Sequence, residues 1–381
     1  MSVKKRMANY ELLRGAAMVM IITLHFLSHS DRILALHEPV SAVRLAGTAL
    51  EFLSVAAVNT YVLISGYLGV QSSFKPSKAV TLLFQIWFYA LLIPLVLALA
   101  GFPVKASEEG IYGLIWYLFP IETEHYWFAA SYLMLYLLTP VLNGAARAMS
   151  KRQFQITLGG LLILFCGIKS ISPVVFAFDK YGYDLPWFIC VYLVAAYLGR
   201  FGWKLAEKRC WLFYFFSSGI CFGINIGMYF LSSYSDNFEY YFTVPYHYNF
   251  LFCLTASIGL FYGFSRLRIR EGRLADGIRR MGGLCFGVYL LHEHVDLRYR
   301  WYGWVRGIVN PSGRDGMTAF LAEWLVSVLL LFTAGIFIDY LRSRLFRAVS
   351  LRLENTAPGR FLKKLDREME GKEHGYKNEK A

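Results

Sequence analysis

Long apolar stretches, separated by short polar segments, run along nearly the whole chain. A helix that crosses a membrane needs about 20 mostly apolar residues, and ten stretches reach or approach that length. They are residues 11–30, 46–70, 79–101, 126–147, 154–174, 186–201, 211–231, 246–264, 283–302 and 317–341. The sixth is short, and charged residues crowd the second half of the ninth. The pattern predicts an all-α, polytopic integral membrane protein with about ten transmembrane helices.

Basic residues cluster between the apolar stretches and predict the orientation of the chain. Cytoplasmic loops carry an excess of lysine and arginine. Most of the 39 basic residues fall in alternate segments, beginning with Lys4 and Lys5 and ending with the segment after Arg342. An even number of crossings then makes both termini cytoplasmic. The sequence predicts a membrane domain over 8–341 and a basic, polar cytoplasmic tail over 342–381, solvated from residue 354 onward.

Composition agrees with a membrane protein and excludes other classes. The chain is 56% hydrophobic and 17% charged, whereas soluble chains average about 45–50% apolar and about 25% charged residues. The net charge of +13 does not indicate nucleic-acid binding, because the basic residues form no single face. The six cysteines form no CxxC pair, so neither a disulfide framework nor a zinc site is indicated.

The first apolar stretch contains ionisable residues, which inside a membrane are functional candidates by default. Arg14 and His25 are 11 residues apart, within about 20° of three helical turns, and therefore share a helix face with about 16 Å of rise between them. Alternatively, Arg14 reaches lipid phosphates and His25 is a hydrogen-bonded packing residue. His25 and His29 have the i, i+4 spacing of a helical metal site, but no glutamate follows His25 as in HExxH, so no metal is expected.

Other polar and aromatic residues in or beside the stretches are further candidates. They are Asn59, Ser65 and Tyr67 in the second stretch, Lys75 and Lys78 after it, Trp127 in the fourth, and His292 and Glu293 in the ninth. The lysines could bind lipid head groups or the phosphates of a soluble ligand. Trp127, Tyr132 and Tyr136 first suggest an interfacial aromatic belt. The His–Glu pair could support proton transfer or mark the end of its span.

Five segments, in order, resemble signatures of the membrane acyltransferase 3 family. Arg14 and His25 match its R-x10-H motif in the first helix. The other four are FLSVAAVNTYVLISGYLG, YWFAASYLMLYLLTPVLN, YLVAAYLGR and MGGLCFGVYLLHEH. The resemblance covers roughly residues 8–340. Two departures stand out: Lys75 and Lys78 occupy the region where members often carry arginines, and Ala196 stands where glycine is frequent.

The resemblance implies a bacterial plasma-membrane enzyme that moves an acyl group, usually acetyl, from cytoplasmic acyl-CoA to a hydroxyl of a cell-surface or lipid-linked glycan. The implied partners are membrane lipids, acetyl-CoA or another acyl-CoA, and the glycan, with no metal and no nucleic acid. His25 is then the general base or a transient acyl acceptor. Arg14 is the second catalytic residue. The residues that bind the acyl-CoA donor are Arg14, Ser65, Tyr67, Lys75 and Lys78. The residues that bind the acceptor are Asn59, Trp127, His292 and Glu293.

A transporter or flippase for a glycan or a small anionic substrate is the alternative. It would use the same polar residues as a substrate path without covalent chemistry. Transporters often contain internal repeats with broken helices at matching positions. The sequence contains no second copy of the Arg14–His25 pattern, which favours the enzyme.

Overall fold

The computed structural model describes residues 6–123, 125–173 and 180–378, with side chains as far as residue 370. Throughout these residues the secondary structure is helical, without a β-strand. Lys4, Lys5 and the last residue of the predicted span 154–174 lie outside the described residues. The all-α fold is confirmed.

Nineteen α-helices occur in the described part of the chain. The first seven are α1 (Ala8–Ser30), α2 (Ala42–Ser54), α3 (Ala57–Gly69), α4 (Pro76–Leu99), α5 (Lys105–Glu109), α6 (Ile111–Leu118) and α7 (Trp127–Ala148). The next seven are α8 (Lys151–Leu162), α9 (Ile168–Ile171), α10 (Leu185–Phe201), α11 (Lys204–Lys208), α12 (Cys210–Ser232), α13 (Glu239–Thr243) and α14 (Leu251–Ser265). The last five are α15 (Arg273–Gly282), α16 (Cys285–His292), α17 (Trp301–Val309), α18 (Met317–Leu353) and α19 (Ala357–Asn378).

Eight helical segments within the described residues are long and apolar enough to cross a membrane. They are Ala8–Ser30, Ala42–Gly69, Pro76–Leu99, Trp127–Ala148, Lys151–Ile171, Cys210–Ser232, Asp236–Ser265 and Met317–Leu353. Each overlaps a predicted span. The short sixth stretch forms α10, an apolar helix of 17 residues. The protein is a polytopic helical membrane protein, and the cytoplasmic location of its termini stays a prediction.

The predicted ninth span, 283–302, is not one membrane-length helix. Helix α16 ends at His292 after 8 residues, turns follow, and α17 begins at Trp301. Glu293 and Asp296 in this region are buried. Non-helical backbone at membrane depth is tolerated where protein surrounds it. The break therefore brings buried polar side chains to the middle of the bundle.

The C-terminal segment is helical and contacts the bundle, although none of residues 354–370 is buried. Helix α18 continues 12 residues beyond the predicted boundary at 341, to Leu353. Helix α19 then packs on the first turn of α4, where the Asp366 carboxylate accepts hydrogen bonds from the Ser77 amide at 3.0 Å and the Ser77 hydroxyl at 2.6 Å. First-turn amides have no partner within their own helix, so a carboxylate from another helix stabilises them.

Helix α1 lies at the centre of the bundle and contacts α2, α3, α14, α15, α16 and α18. Its close packing depends on small residues, as at Gly282 of α15, where a Cβ atom would collide with Glu11. Outer helices such as α4 and α12 expose large apolar side chains, including Leu95 and Phe216. The predicted Arg14–His25 face thus points into protein.

Candidate active site

His25 of α1 meets the C-terminal end of α16 in the middle of the bundle. Its Nδ1 atom lies 2.9 Å from His292 Nε2 and 3.3 Å from the Glu293 carboxylate. His292 and Glu293 are buried, whereas 22% of the His25 side chain remains exposed. Three groups that can exchange or accept protons therefore meet at one point, and one of them remains accessible.

With both histidines in the neutral form, the hydrogen-bond chain assigns their tautomers. His292 Nδ1 lies 2.6 Å from the Val288 carbonyl, one turn earlier in α16, and a carbonyl oxygen only accepts. His292 therefore donates from Nδ1 and accepts at Nε2, so His25 donates from Nδ1 toward His292. The remaining nitrogen, His25 Nε2, carries the lone pair. That nitrogen is the one a general base needs.

A second polar cluster holds the turn that follows Glu293. The Val295 amide donates to His125 Nε2 at 3.1 Å, and His125 Nδ1 lies 2.9 Å from the Trp116 carbonyl. Asp296 accepts from the Tyr117 hydroxyl at 2.6 Å and from the Lys105 amide at 2.8 Å. These bonds attach the break in the ninth stretch to α5 and α6. Sequence reasoning missed this cluster, although His125 and Asp296 are ionisable groups at the margins of apolar stretches.

A small cavity of about 30 Å³ lies beside His25. Aromatic side chains form much of its wall. The polar and aromatic lining residues are His25, Tyr61, Trp127, Phe128, Tyr248, Phe286 and Tyr289. The structure thus brings the predicted Trp127 to the same space as His25.

A larger cavity of about 170 Å³ surrounds Arg14. Ser65 and Lys78 line it together with Tyr132, Tyr136, Asn143 and Tyr192. Arg14 pairs with Glu11 of its own helix. The Ser65 hydroxyl lies 3.2 Å from that of Tyr132. Tyr132 and Tyr136 therefore line a cavity between helices, and whether they also belong to an interfacial aromatic belt stays a prediction.

The two cavities follow the same interface between α1, α3 and α7. On α3, Tyr61 lines the cavity at His25 and Ser65, one turn later, lines the cavity at Arg14. On α7, Phe128 lines the cavity at His25, and Tyr132, one turn later, lines the cavity at Arg14. The rings of these two residues are stacked with their centroids 5.9 Å apart. The Tyr61 hydroxyl donates to the Arg14 carbonyl at 2.6 Å. We call this interface, which holds two separate cavities between Arg14 and His25, the path.

Lys75 and Lys78 lie at the end of this path, where α19 covers α4. The Lys75 ammonium lies 2.6 Å from the Glu370 carboxylate. This contact raises the pKa of Lys75, because the carboxylate stabilises the charged amine. Lys78 lines the Arg14 cavity, whereas Lys75 lies beside it, its backbone bonded to the Tyr136 hydroxyl.

Two predicted site residues lie away from both cavities. Asn59 is fully buried, donates to the Tyr248 carbonyl at 2.8 Å and accepts from Trp187 Nε1 at 2.9 Å. It supports Tyr248, which lines the His25 cavity. Tyr67 packs on Tyr10 and Phe261 and lines a separate basic groove. Neither side chain faces the path.

His25, His292 and Glu293 also form the one group among the described residues that could hold a metal ion, with ligand atoms within 4.8 Å of one another. Their separations equally suit hydrogen bonds, and the tautomer chain accounts for them without an ion. The His25–His29 spacing does not form a site, because the His29 ring packs against Tyr299 and Trp301.

A multi-span bundle with one cavity beside the His25–His292–Glu293 group and another beside Arg14, along one helix interface, defines a membrane-embedded enzyme-like site. The chain belongs to the acyltransferase 3 family, whose acyltransferase domain matches residues 7–340. It is a membrane acyltransferase. No curated protein and no solved structure gives a significant match to it.

Proposed function

We propose that this protein transfers an acetyl group from acetyl-CoA to a hydroxyl of a cell-surface or lipid-linked glycan, across a bacterial plasma membrane. One observation carries the proposal: among the described residues the lone-pair nitrogen of His25 has no partner, and His25 lines one cavity of an interface whose other cavity is lined by Arg14 and Lys78. An acyl donor that carries phosphates needs cationic side chains to bind it. An acceptor hydroxyl is only weakly acidic and needs a base to take its proton.

The donor side is the cavity around Arg14. Coenzyme A carries several negative phosphate oxygens, and cationic side chains attract them. Arg14 and Lys78 line this cavity, and Lys75 is beside it. In this proposal the phosphates bind near the lysines and the thioester extends along the path toward His25. The donor then competes with Glu370 for Lys75.

At the chemical step, the acceptor hydroxyl oxygen attacks the thioester carbonyl carbon. His25 Nε2 accepts the hydroxyl proton as the new C–O bond forms. The C–S bond then breaks, and the proton passes from His25 to the departing thiolate of CoA. Histidine suits both transfers, because its usual pKa is close to neutrality.

His292 and Glu293 support the imidazole during these transfers. Both lie on the Nδ1 side of His25, so they hold the ring with Nε2 toward the cavity. The Glu293 carboxylate, 3.3 Å away, stabilises the imidazolium that forms when His25 takes the proton. A carboxylate behind a catalytic histidine acts in this way in hydrolase triads.

Purified protein in lipid nanodiscs tests the proposal. The protein is supplied with acetyl-CoA and a hydrolysate of bacterial surface glycan. Free CoA is then quantified, and the mass of the glycan is measured by mass spectrometry. The proposal expects CoA release that depends on glycan, with one acetyl mass added. Protein that moves glycan across vesicles without releasing CoA would support the transporter instead and overturn the proposal.

A further inference from the structure

Arg298, in the turns between α16 and α17, carries a guanidinium group without a hydrogen-bond or ion-pair partner among the described residues, and its Nε atom is buried. Two cations at the same end of the bundle are paired. Arg32 lies 2.8 Å from the Asp315 carboxylate, and Arg300 donates to the Pro103 carbonyl at 2.6 Å. Buried polar groups are nearly always bonded, and an unpaired charged donor is the costliest exception. Packing alone therefore does not account for Arg298.

The Arg298 side chain lies beside the chemical site and close to the protein surface. Its guanidinium carbon is 5.2 Å from the centre of the Tyr299 ring, and 72% of Tyr299 is exposed. The Tyr299 ring in turn packs on His29, one turn after His25 in α1, with 5.4 Å between ring centroids. The charge of Arg298 is within electrostatic range of both His25 and Glu293. A ligand that approaches His25 from this end of α1 would therefore pass a cation without a partner.

Trp301 carries a second donor without a partner on the same turn of the chain. Only 3% of this residue is exposed, and its Nε1 atom has no acceptor in the described part of the chain. The backbone here is helical in character, since the Trp301 amide donates to the Leu297 carbonyl at 3.2 Å. Residues three apart on such a turn lie on one side. Indole and guanidinium nitrogens only donate, so both need a group that accepts, such as a carboxylate or a phosphate.

The position of Arg298 also bears on the proposed proton transfer. When His25 takes the acceptor proton it becomes an imidazolium, which the positive charge of Arg298 repels. The Glu293 carboxylate, 3.3 Å from His25 Nδ1, offsets one of these two positive charges. An anionic group bound to Arg298 would offset the other. An acidic acceptor would thus supply the compensating charge at the point where the base needs it, and a neutral acceptor would not.

We infer that Arg298 binds an anionic group, a carboxylate or a phosphate, of the glycan that accepts the acyl group. This inference rests on the proposed function and names the class of its acceptor, an acidic glycan. The planar guanidinium forms two parallel hydrogen bonds with either anion and holds a neighbouring sugar hydroxyl near His25. The transfer itself is unchanged: His25 takes the hydroxyl proton and returns it to the CoA thiolate. The donor phosphates use separate cations, since Arg14 and Lys78 line the other cavity.

Removing the anion from the glycan and the cation from the protein tests the inference. The glycan hydrolysate is used untreated, with its carboxyl groups reduced by carbodiimide and borohydride, or dephosphorylated with hydrofluoric acid, and CoA release is measured in nanodiscs. We expect one of the two treatments to lower kcat/KM of the wild type about 10–100-fold, as loss of a hydrogen bond to a charged group does.

The Arg298→Gln variant should show the same loss with the untreated hydrolysate and no further loss after that treatment, because both changes remove one interaction. Its Tm should be equal to that of the wild type, since no bond within the protein is lost. Arg298→Lys, which keeps the charge without the planar fork, should be intermediate. Arg300→Gln is the matched control: it removes a charge two residues away and should respond to the treatments as the wild type does.

The outcomes separate the two proposals. A wild type that is indifferent to both treatments, or an Arg298→Gln variant with unchanged kcat/KM, overturns the inference and leaves the acyl transfer intact. A variant with a lower Tm and an equal loss for every hydrolysate also overturns it, because Arg298 would then be structural. A wild type that releases no CoA overturns the proposed function, and binding then decides the inference. The untreated hydrolysate should raise the Tm of the wild type but not that of Arg298→Gln, and equal shifts would overturn the inference as well.

Discussion

His25 Nδ1 and His292 Nε2 lie 2.9 Å apart although 267 residues separate them in the chain. The first belongs to the central helix, and the second ends a short helix that stops in the middle of the bundle. Because His292 donates to the Val288 carbonyl, it accepts from His25 and leaves His25 Nε2 free. This one contact orients the imidazole, and the predictions about catalysis depend on it.

Replacing His25 should abolish transfer without preventing folding. In His25→Gln an amide fills similar space but takes no proton near neutral pH, and loss of a general base costs about 10²–10⁴-fold in rate. We expect normal membrane levels and a decrease of that size in glycan-dependent CoA release. His29→Gln is the control, since the His29 ring packs on Tyr299 and Trp301, and it should retain most activity. Near wild-type activity in His25→Gln would remove the catalytic assignment.

The C-terminal helix should weaken donor binding. If Lys75 binds a phosphate of the donor, Glu370 competes for it, so Glu370→Gln should lower the KM for acetyl-CoA. Lys75→Ala combined with Lys78→Ala should raise this KM with less effect on kcat, because phosphate contacts exist before and during the reaction alike. Glu368→Gln, on the same helix, should leave KM unchanged, since Glu368 faces Lys364. An unaltered donor KM in the double alanine variant would mean that the lysines only anchor α4.

Gly287 should be indispensable for packing of the helix that carries His292. A Cβ atom there would collide with the Asp339 carboxylate of α18, which accepts from Tyr89 at 3.0 Å and pairs with Arg342. Overpacking of a close core typically costs about 1–3 kcal/mol. We expect Gly287→Ala to lower Tm and the amount of protein in the membrane. Gly227→Ala, in open space on α12, should be tolerated, and equal Tm values for both variants would contradict the packing argument.

Transfer should not depend on a metal ion. The hydrogen-bond chain of His25, His292 and Glu293 accounts for both nitrogens of His292 and for Nδ1 of His25. Extended dialysis against EDTA should therefore leave CoA release unchanged. If activity disappears and Zn²⁺ or another divalent cation restores it, the three residues are metal ligands and His25 is not the base.

The loops rich in lysine and arginine should lie on the cytoplasmic side of the membrane. Single cysteines at exposed positions Ser41 and Ser107, in a cysteine-free background, should react with an impermeant thiol reagent in intact cells. A cysteine at exposed Gln71 should react only after lysis. Ser77, six residues further along the chain, is unsuitable for labelling because it is bonded to Asp366. The reverse labelling pattern would place Arg14 and the donor cavity on the outer side.

Local patterns in the sequence were enough to predict the class of protein and half of the site. Hydropathy over about 20 residues reports burial in lipid, and eight of the predicted spans appear as membrane-length helices. The helical period alone places Arg14 and His25 on one face. The family follows from motifs that are continuous in the chain. These features depend on neighbours within one helix, so the sequence alone contains them.

The rest depended on how the helices pack. Only the tertiary structure pairs His25 with His292 rather than with His29, and leaves Asn59 and Tyr67 off the path. It also ends α16 at His292, because buried partners such as His125 satisfy the turn that follows. The Glu370–Lys75 contact likewise joins segments far apart in sequence. No local pattern records such contacts, since their free energy arises only when distant surfaces meet.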